Sequence, residues 1–230
     1  MDRFHPFWYN DVNMKKEILI IVPTRNRSKN IKEFYKLFKE NSEISDLCIG
    51  MDDDEVEDYP IFDDVIYETN SNMKLVPKLN LISAKYLDQY KYIGFMGDDV
   101  RIKTKGWDSI LVEPLKNKAG MSYPNDLLQG ENLPTAFVTN SSVIKKLGYM
   151  VPPELKHFFM DNFYIDWSGA LDVRYYFEDV ILEHMHPAAG KSEEDATYRS
   201  ADTVHDDRHA YREYIKKRFK SDLKKIMEIL

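Results

Sequence analysis

Cysteine is almost missing from this chain of 230 residues. Cys48 stands alone inside an apolar run, which rules out an internal disulfide and points to a reducing compartment. Glycine is scarce too, at nine residues, and nowhere forms a Gly-rich phosphate loop of the Walker or dinucleotide-binding type, which argues against a kinase or a dehydrogenase. No apolar run reaches the length of a transmembrane helix. The first residues, with Asp2, His5 and Asn10, lack the apolar region of a signal peptide. Positive charge is in deficit: 32 Lys and Arg against 39 Asp and Glu give a net charge of −7, the wrong sign for a general nucleic-acid coat. Internal repeats and low-complexity linkers are lacking as well. The expectation is a soluble, cytoplasmic protein that recruits cations rather than polyanions.

What is present suffices for one packed domain, with 43% hydrophobic and 31% charged residues. The organising stretch is Tyr92-Ile93-Gly94-Phe95-Met96-Gly97-Asp98-Asp99-Val100, a short apolar run that stops at two adjacent carboxylates. Read as a buried strand, it delivers Asp98 and Asp99 to the carboxyl edge of a sheet, where open α/β sheets bind ligands. Carboxylates held side by side repel each other unless positive charge joins them. The usual partner is a hard divalent cation shared with a substrate phosphate. A plain Gly-Asp-Asp turn is the alternative.

Along the chain, Met1 to Asn13 is aromatic and polar without a period and reads as a packed arm or a tail. Glu17 to Val22 is a continuous β-branched run, a strand buried on both faces. Pro23 ends it, and Asn26 or Ser28 can cap the helix that follows, whose apolar face is Ile31, Phe34, Tyr35 and Phe38. A second strand, Asp46 to Met51, runs into Asp52-Asp53-Asp54-Glu55, so strand, helix and strand read as a βαβ unit on a parallel sheet. Asp64 to Glu68 is a third strand, and Pro77 to Gln89 a helix feeding the Asp98-Asp99 strand. Further on, Ile110 to Lys116 and Ser141 to Leu147 read as short helices, and Ala119 to Tyr123 and Thr135 to Thr139 as short strands. Val180 to Pro187 is a strand ending in His184-Met185-His186. A polar loop from Ala188 to Asp202 precedes a last helix over Asp207 to Ile229, with Tyr211, Ile215, Phe219, Leu223, Ile226 and Leu230 on one face. The pattern predicts an α/β domain over residues 1–204 with a C-terminal helix, 205–230, packed on it or extending from it.

Several of these residues also carry a resemblance. Ile21-Val22-Pro23-Thr24-Arg25-Asn26-Arg27, the acidic turn Met51 to Glu55, and Phe95 to Val100 followed by Trp107 resemble the family 2 type of GT-A-fold glycosyltransferases. The likeness continues more loosely through Met160-Asp161-Asn162 and the block Glu183 to Pro187. One position departs: Gly97 stands where the family's DxD motif has its first aspartate. The resemblance implies a GT-A, Rossmann-like, mostly parallel sheet flanked by helices. It also implies an inverting hexosyl transfer from a UDP-sugar, assisted by Mn²⁺ or Mg²⁺.

On that reading Asp99 is the metal ligand, with Asp98 beside it on the donor side. His184 and His186, at i and i+2 of an extended segment, point the same way. Either can complete the shell, since imidazole suits Mn²⁺ better than Mg²⁺; the alternative is a histidine bonded to a carbonyl. From the acidic run, Asp53 and then Asp52 are candidates for the nucleotide's base or ribose, although such a run is usually a solvated turn. Pro23, Thr24, Arg25 and Arg27 lie on the first strand's exit loop, and a guanidinium fork matches a diphosphate. Lys78 is a second such cation, or a surface lysine. Asp161 is the candidate general base, its pKa raised by Phe158, Phe159, Phe163 and Tyr164. A helix N-cap is its alternative role, and Asp166 the second candidate base. His205-Asp206-Asp207 is similar to the metal pair of HD phosphohydrolases, but those are all-helical, and this chain has strong strands.

The acceptor stays open: glycan, lipid, protein or modified nucleic acid. A local basic patch at Lys216-Lys217-Arg218 or Lys224-Lys225 would suit the last. Two rival functions also stay open, a non-catalytic nucleotide-sugar-binding domain and a sugar nucleotidyltransferase. The loop from Pro23 to Arg27 lacks the glycine that the latter generally carries.

Overall fold

Ile18–Pro23 forms the central strand, β1, of the computed structural model, which describes residues 16–191 and 204–230. Leu19 and Ile21 face one side of the sheet and Ile18, Ile20 and Val22 the other, all five fully buried. Burial on both faces is why the run is apolar without alternation. β2 (Ser45–Asp52) and β4 (Tyr92–Phe95) flank β1 in parallel, and β3 (Val65–Asn70) lies parallel outside β2. Helix α1 (Ser28–Asn41) covers one face with Ile31, Phe34 and Phe38, and α2 (Leu75–Tyr86) covers the other with Val76, Leu79 and Ile82. The α/β class is as expected.

Beyond β4 the sheet becomes mixed. Its order is β3-β2-β1-β4-β7-β6-β8-β5, where β5 is Val100–Ile102, β6 Met121–Asn125, β7 Phe137–Asn140 and β8 Arg174–His184. β7 runs antiparallel to β4 and β6, β5 antiparallel to β8, and β6 parallel to β8. Three further helices, α3 (Trp107–Val112), α4 (Ser141–Leu147) and α5 (Met160–Ala170), close the layers. Gly148 ends α4 in the left-handed conformation at φ 86°, the backbone form that glycine adopts at little cost.

Some local expectations are corrected. Neither Asn26 nor Ser28 caps α1; Arg27 holds the N-cap position without a side-chain bond. Asn26 instead sits at φ 56° and gives its backbone N–H to Glu55. The C-terminal helix is not one regular element. It runs as α6 (Val204–Tyr214), a π-helical turn (Ile215–Phe219) and α7 (Lys220–Met227). The wider turn shifts the helical phase, so Tyr214 is buried where Ile215 was expected, and Ile215 is exposed. Arg218 lies over the rings of Tyr149 and Tyr214, Lys216 and Lys217 both pair with Glu213, and Arg218 pairs with Glu154. Of the two stretches that could form a basic patch, Lys216-Lys217-Arg218 is thus paired with carboxylates, and in the other Lys225 pairs with Asp222. The N-terminal arm and most of the loop after Ala188 lie outside the described residues. Among those described, no helix is long and apolar enough to cross a membrane.

Asp207, in the motif set aside above, is fully buried and accepts the backbone N–H groups of Lys156, His157 and Phe158 at 2.8, 2.9 and 2.8 Å. Its truncation orphans three donors at once, each worth about 1–3 kcal/mol when left unpaired in the interior. Asp207→Ala is expected to cost roughly 3 kcal/mol in urea unfolding; a change within about 0.5 kcal/mol would show that water replaces the carboxylate.

Candidate functional site

The carboxyl ends of β1, β2 and β4 share one edge because the three strands are parallel. Over that edge lies a cavity of about 350 Å³. β1 contributes Pro23, Thr24, Arg25 and Arg27 through its exit loop, and β2 contributes its last residue, Asp52. The turn after β4 contributes Gly97, Asp98 and Asp99, and the first turns of α2 contribute Lys74, Leu75 and Lys78. His157, Phe158 and, from the first turn of α5, Asp161 also line it. His184 arrives from β8, and its place is fixed by strand register. It pairs with Val100, the residue after Asp99, and the N–H of Met185 donates to the Asp99 carbonyl at 3.0 Å.

Asp98 and Asp99 behave differently. Asp98 is locked: Thr24 donates its hydroxyl to Oδ2 at 2.7 Å, and Arg27 donates to Oδ1 at 3.0 Å. Burial raises the Asp98 pKa to about 6, with Arg27 pulling it down and Asp99 pushing it up. Asp99 faces Arg27 at 3.7 Å through Oδ2, and its Oδ1 lies 3.5 Å from Nε2 of His184. The missing aspartate of DxD has a steric counterpart here. A Cβ on Gly97 would come within 2.6 Å of Asp99 Oδ1, so a larger residue displaces that carboxylate from where it now points.

Lys78 and Asp52 form a second cluster at the end of β2. Lys78 is buried and donates to Asp52 Oδ1 at 2.6 Å. The other Asp52 oxygen is buried without a hydrogen bond, though Arg25 Nε stands 3.6 Å from it and 3.7 Å from Glu55 Oε1. Asp52, Asp54 and Glu55 present oxygens within 4.8 Å of one another, but Arg25 already brings positive charge to that group. Asp53, preferred over Asp52 in the sequence, is exposed at the head of a 3-10 turn and does not line the cavity. Lys78 is not the surface lysine its composition allowed.

His184 sits between carboxylates. Burial lowers its pKa, but Asp126 and Asp99 outweigh burial and raise it to about 9. His186 lies beside it, ring centroids 5.1 Å apart, and its pKa is lowered by burial and by His184. Asp161 is half-buried, and burial raises its pKa against the backbone N–H groups of Asp161 and Asn162. It is not the N-cap of α5, a position held by Phe159 at φ 67°. Asp166 is exposed, accepts a hydrogen bond from Tyr211 at 2.6 Å and stays off the cavity.

Among the described residues, three ligand-type side chains converge at Asp52, Asp54 and Glu55, whereas beside Asp98 two meet, Asp99 and His184. Asp99 Oδ1 and His184 Nε2 converge within 3.5 Å, and the Nδ1 of His184 is buried without a hydrogen bond. A carboxylate oxygen and an imidazole nitrogen are both ligand types for a divalent cation, the imidazole once it has given up its second proton. Residues that the sequence did not single out complete the site. Tyr59 bridges the exit loop by contacting Thr24 Oγ1 and accepting the Arg27 N–H, both at 3.1 Å, and Asp126 lies behind His184. Asp126 carries only one local sign, its place in a Pro-Asn-Asp turn ahead of Gly130.

No protein-family model matches the sequence, and no curated protein matches it. Solved structures do share the fold. Glucosyl-3-phosphoglycerate synthase from Mycobacterium tuberculosis, in complex with Mn²⁺, UDP and phosphoglyceric acid, superposes with a TM-score of 0.58 at 11% identity, over 83% of this chain and 75% of that one. The mannosyltransferase PcManGT from Pyrobaculum calidifontis, with GDP-Man and Mn²⁺, gives 0.54 at 11% identity, over 93% of this chain and 73% of that one. S. aureus TarS with UDP gives 0.55 at 13% identity over 72% of this chain; only 59% of the TarS chain is covered. The chain has the GT-A fold of these glycosyltransferases.

Proposed function

We propose that the protein is a divalent-cation-dependent glycosyltransferase that moves a sugar from a nucleotide-sugar donor, a UDP-sugar, to an acceptor hydroxyl with inversion. One observation carries this reading. A single cavity at the strand ends is lined by Asp98, Asp99, Arg27, His184, His186 and Asp161 together. Sugar transfer leaves negative charge on a nucleoside diphosphate, and a bound cation supplies electrostatic stabilisation of that leaving group. Asp99 and His184, with His186, would hold the cation, while Asp98 keeps Arg27 in place beside it. Arg25 and Arg27 offer guanidinium forks to phosphate oxygens. The unbonded oxygen of Asp52 is a ready acceptor for an N–H of the base, and Lys78 fixes its orientation. Asp161, raised in pKa by burial, takes the acceptor hydroxyl's proton at its carboxylate. The domain up to residue 204 carries these groups, and the C-terminal helix braces the wall containing His157 and Phe158 through Asp207.

Calorimetric titration with UDP, with and without Mn²⁺, and a screen of nucleotide sugars for Mn²⁺-dependent hydrolysis test the proposal together. UDP affinity is expected to rise at least tenfold with Mn²⁺, and one donor to be turned over. UDP binding indifferent to metal sinks the cation role. Metal-dependent binding without turnover of any donor favours a non-catalytic nucleotide-sugar-binding domain.

A further inference from the structure

We propose that Asp126 is a positioning residue for His184, holding a proton on Nδ1 so that Nε2 is the nitrogen presented to Asp99, the cavity and a cation bound there. The inference rests on the cation-dependent reading above. Asp126 lies in the turn after β6 and is buried to 3% exposure. Its Oδ1 accepts three backbone N–H groups, from Leu128, Gln129 and Gly130, at 2.9, 2.7 and 3.0 Å. Three bonds fill that oxygen and fix the carboxylate plane. Its Oδ2 accepts the Thr135 hydroxyl at 2.7 Å and has a lone pair left, facing His184 Nδ1 at 3.8 Å.

The backbone repeats the link, since His184 N–H donates to the Asp126 carbonyl at 3.0 Å. The Nδ1 atom is buried and has no hydrogen bond. A buried polar nitrogen of that kind requires a partner, and a closure of under about 1 Å brings Asp126 into hydrogen-bond range. A carboxylate accepts only, so the proton it meets must sit on Nδ1. A cation bound at Nε2 would take the place of that nitrogen's proton, while the Nδ1 proton stays with Asp126. Carboxylates behind ligating histidines act in this way, fixing tautomer and ring orientation. The turn itself needs only Oδ1. The second oxygen, held in place by Thr135, is what a purely structural cap would not require.

Asp126→Asn tests the role by exchanging a single atom. The three backbone donors keep the amide oxygen at the Oδ1 position, which leaves the NH₂ group facing His184. An N–H donor there favours an unprotonated Nδ1 and moves the ring proton to Nε2. Mn²⁺ binding in the presence of UDP, read from the free-Mn²⁺ electron paramagnetic resonance signal, is expected to weaken about 10–100-fold. UDP binding without metal should not change. Equal Mn²⁺ affinity in the parent and in a folded Asp126→Asn overturns the positioning role alone. A parent that binds no Mn²⁺ with UDP removes the cation reading and this inference with it. Should the variant fail to fold, ¹⁵N resonances of the parent with UDP and saturating Mg²⁺ decide the matter. A His184 protonated on Nδ1 supports the assignment, and one protonated on Nε2 overturns it.

Discussion

Asp99→Ala is expected to remove the cation-dependent part of nucleotide binding while leaving a folded protein. The expectation follows from how differently the two neighbouring carboxylates are engaged. Asp98 is bonded to Thr24 and Arg27, whereas Asp99 turns Oδ1 toward His184 Nε2 at 3.5 Å. Truncating Asp99 leaves the imidazoles without the carboxylate that would share the cation. A metal contact of this kind is worth several kcal/mol, so Mn²⁺-dependent UDP affinity should fall by roughly 10³-fold. Turnover should fall at least as far. The backbone contact of Asp99, its carbonyl to the Met185 N–H at 3.0 Å, does not depend on the side chain, so the β5–β8 pairing survives. Calorimetry with UDP and Mn²⁺ beside a thermal melt checks both halves. A variant that melts as the parent does and binds UDP with Mn²⁺ equally well would move the cation away from Asp99.

How much of this was legible in the sequence depended on whether the deciding force was local. The strands buried on both faces could be read because burial on two sides leaves only apolar residues, as in Ile18 to Val22. β8 could be read only in its second half. Residues Arg174 to Asp179 are largely exposed or half-buried, and pairing with β6 rather than any apolar period holds them in the sheet. The site followed the same rule. Asp98 and Asp99 announced themselves by ending an apolar run. His184 and His186 were found by their spacing, but their nearness to Asp99 is a matter of β5–β8 register, which no local pattern encodes. Asp52 against Asp53 was decided by one residue of strand length. β2 continues through Asp52, whose side chain turns in toward Lys78, and the chain then enters a 3-10 turn that leaves Asp53 in solvent. Asp126 was out of reach because its partners Thr135 and His184 meet it only in the folded chain.

Asp161→Asn is expected to give a stable enzyme that binds donor and cation normally and turns over very slowly. Burial raises the Asp161 pKa, which suits a base, and the residue lines the same cavity as Asp98, Asp99 and His184. Positioned acid–base groups contribute about 10²–10⁴-fold, so kcat should drop by that factor, or about 3–5 kcal/mol of barrier. Stability should barely move. The substitution is nearly isosteric, the N-cap of α5 is Phe159, and the Asp161 carboxylate accepts from the Asn162 N–H at 3.3 Å, a bond the amide oxygen of Asn can keep. The pH profile separates a base from a bystander. A base works only when ionised, so parent kcat at saturating donor should fall as pH drops through the raised pKa. The variant's residual kcat should lose that acid limb. Saturating donor matters because Asp98, with a pKa raised to about 6, would otherwise add its own pH effect on donor binding. Asp166, the second candidate base, is exposed, bonded to Tyr211 and does not line the cavity. A folded Asp161→Asn with kcat within a few-fold of the parent and an unchanged acid limb removes the base from α5 altogether.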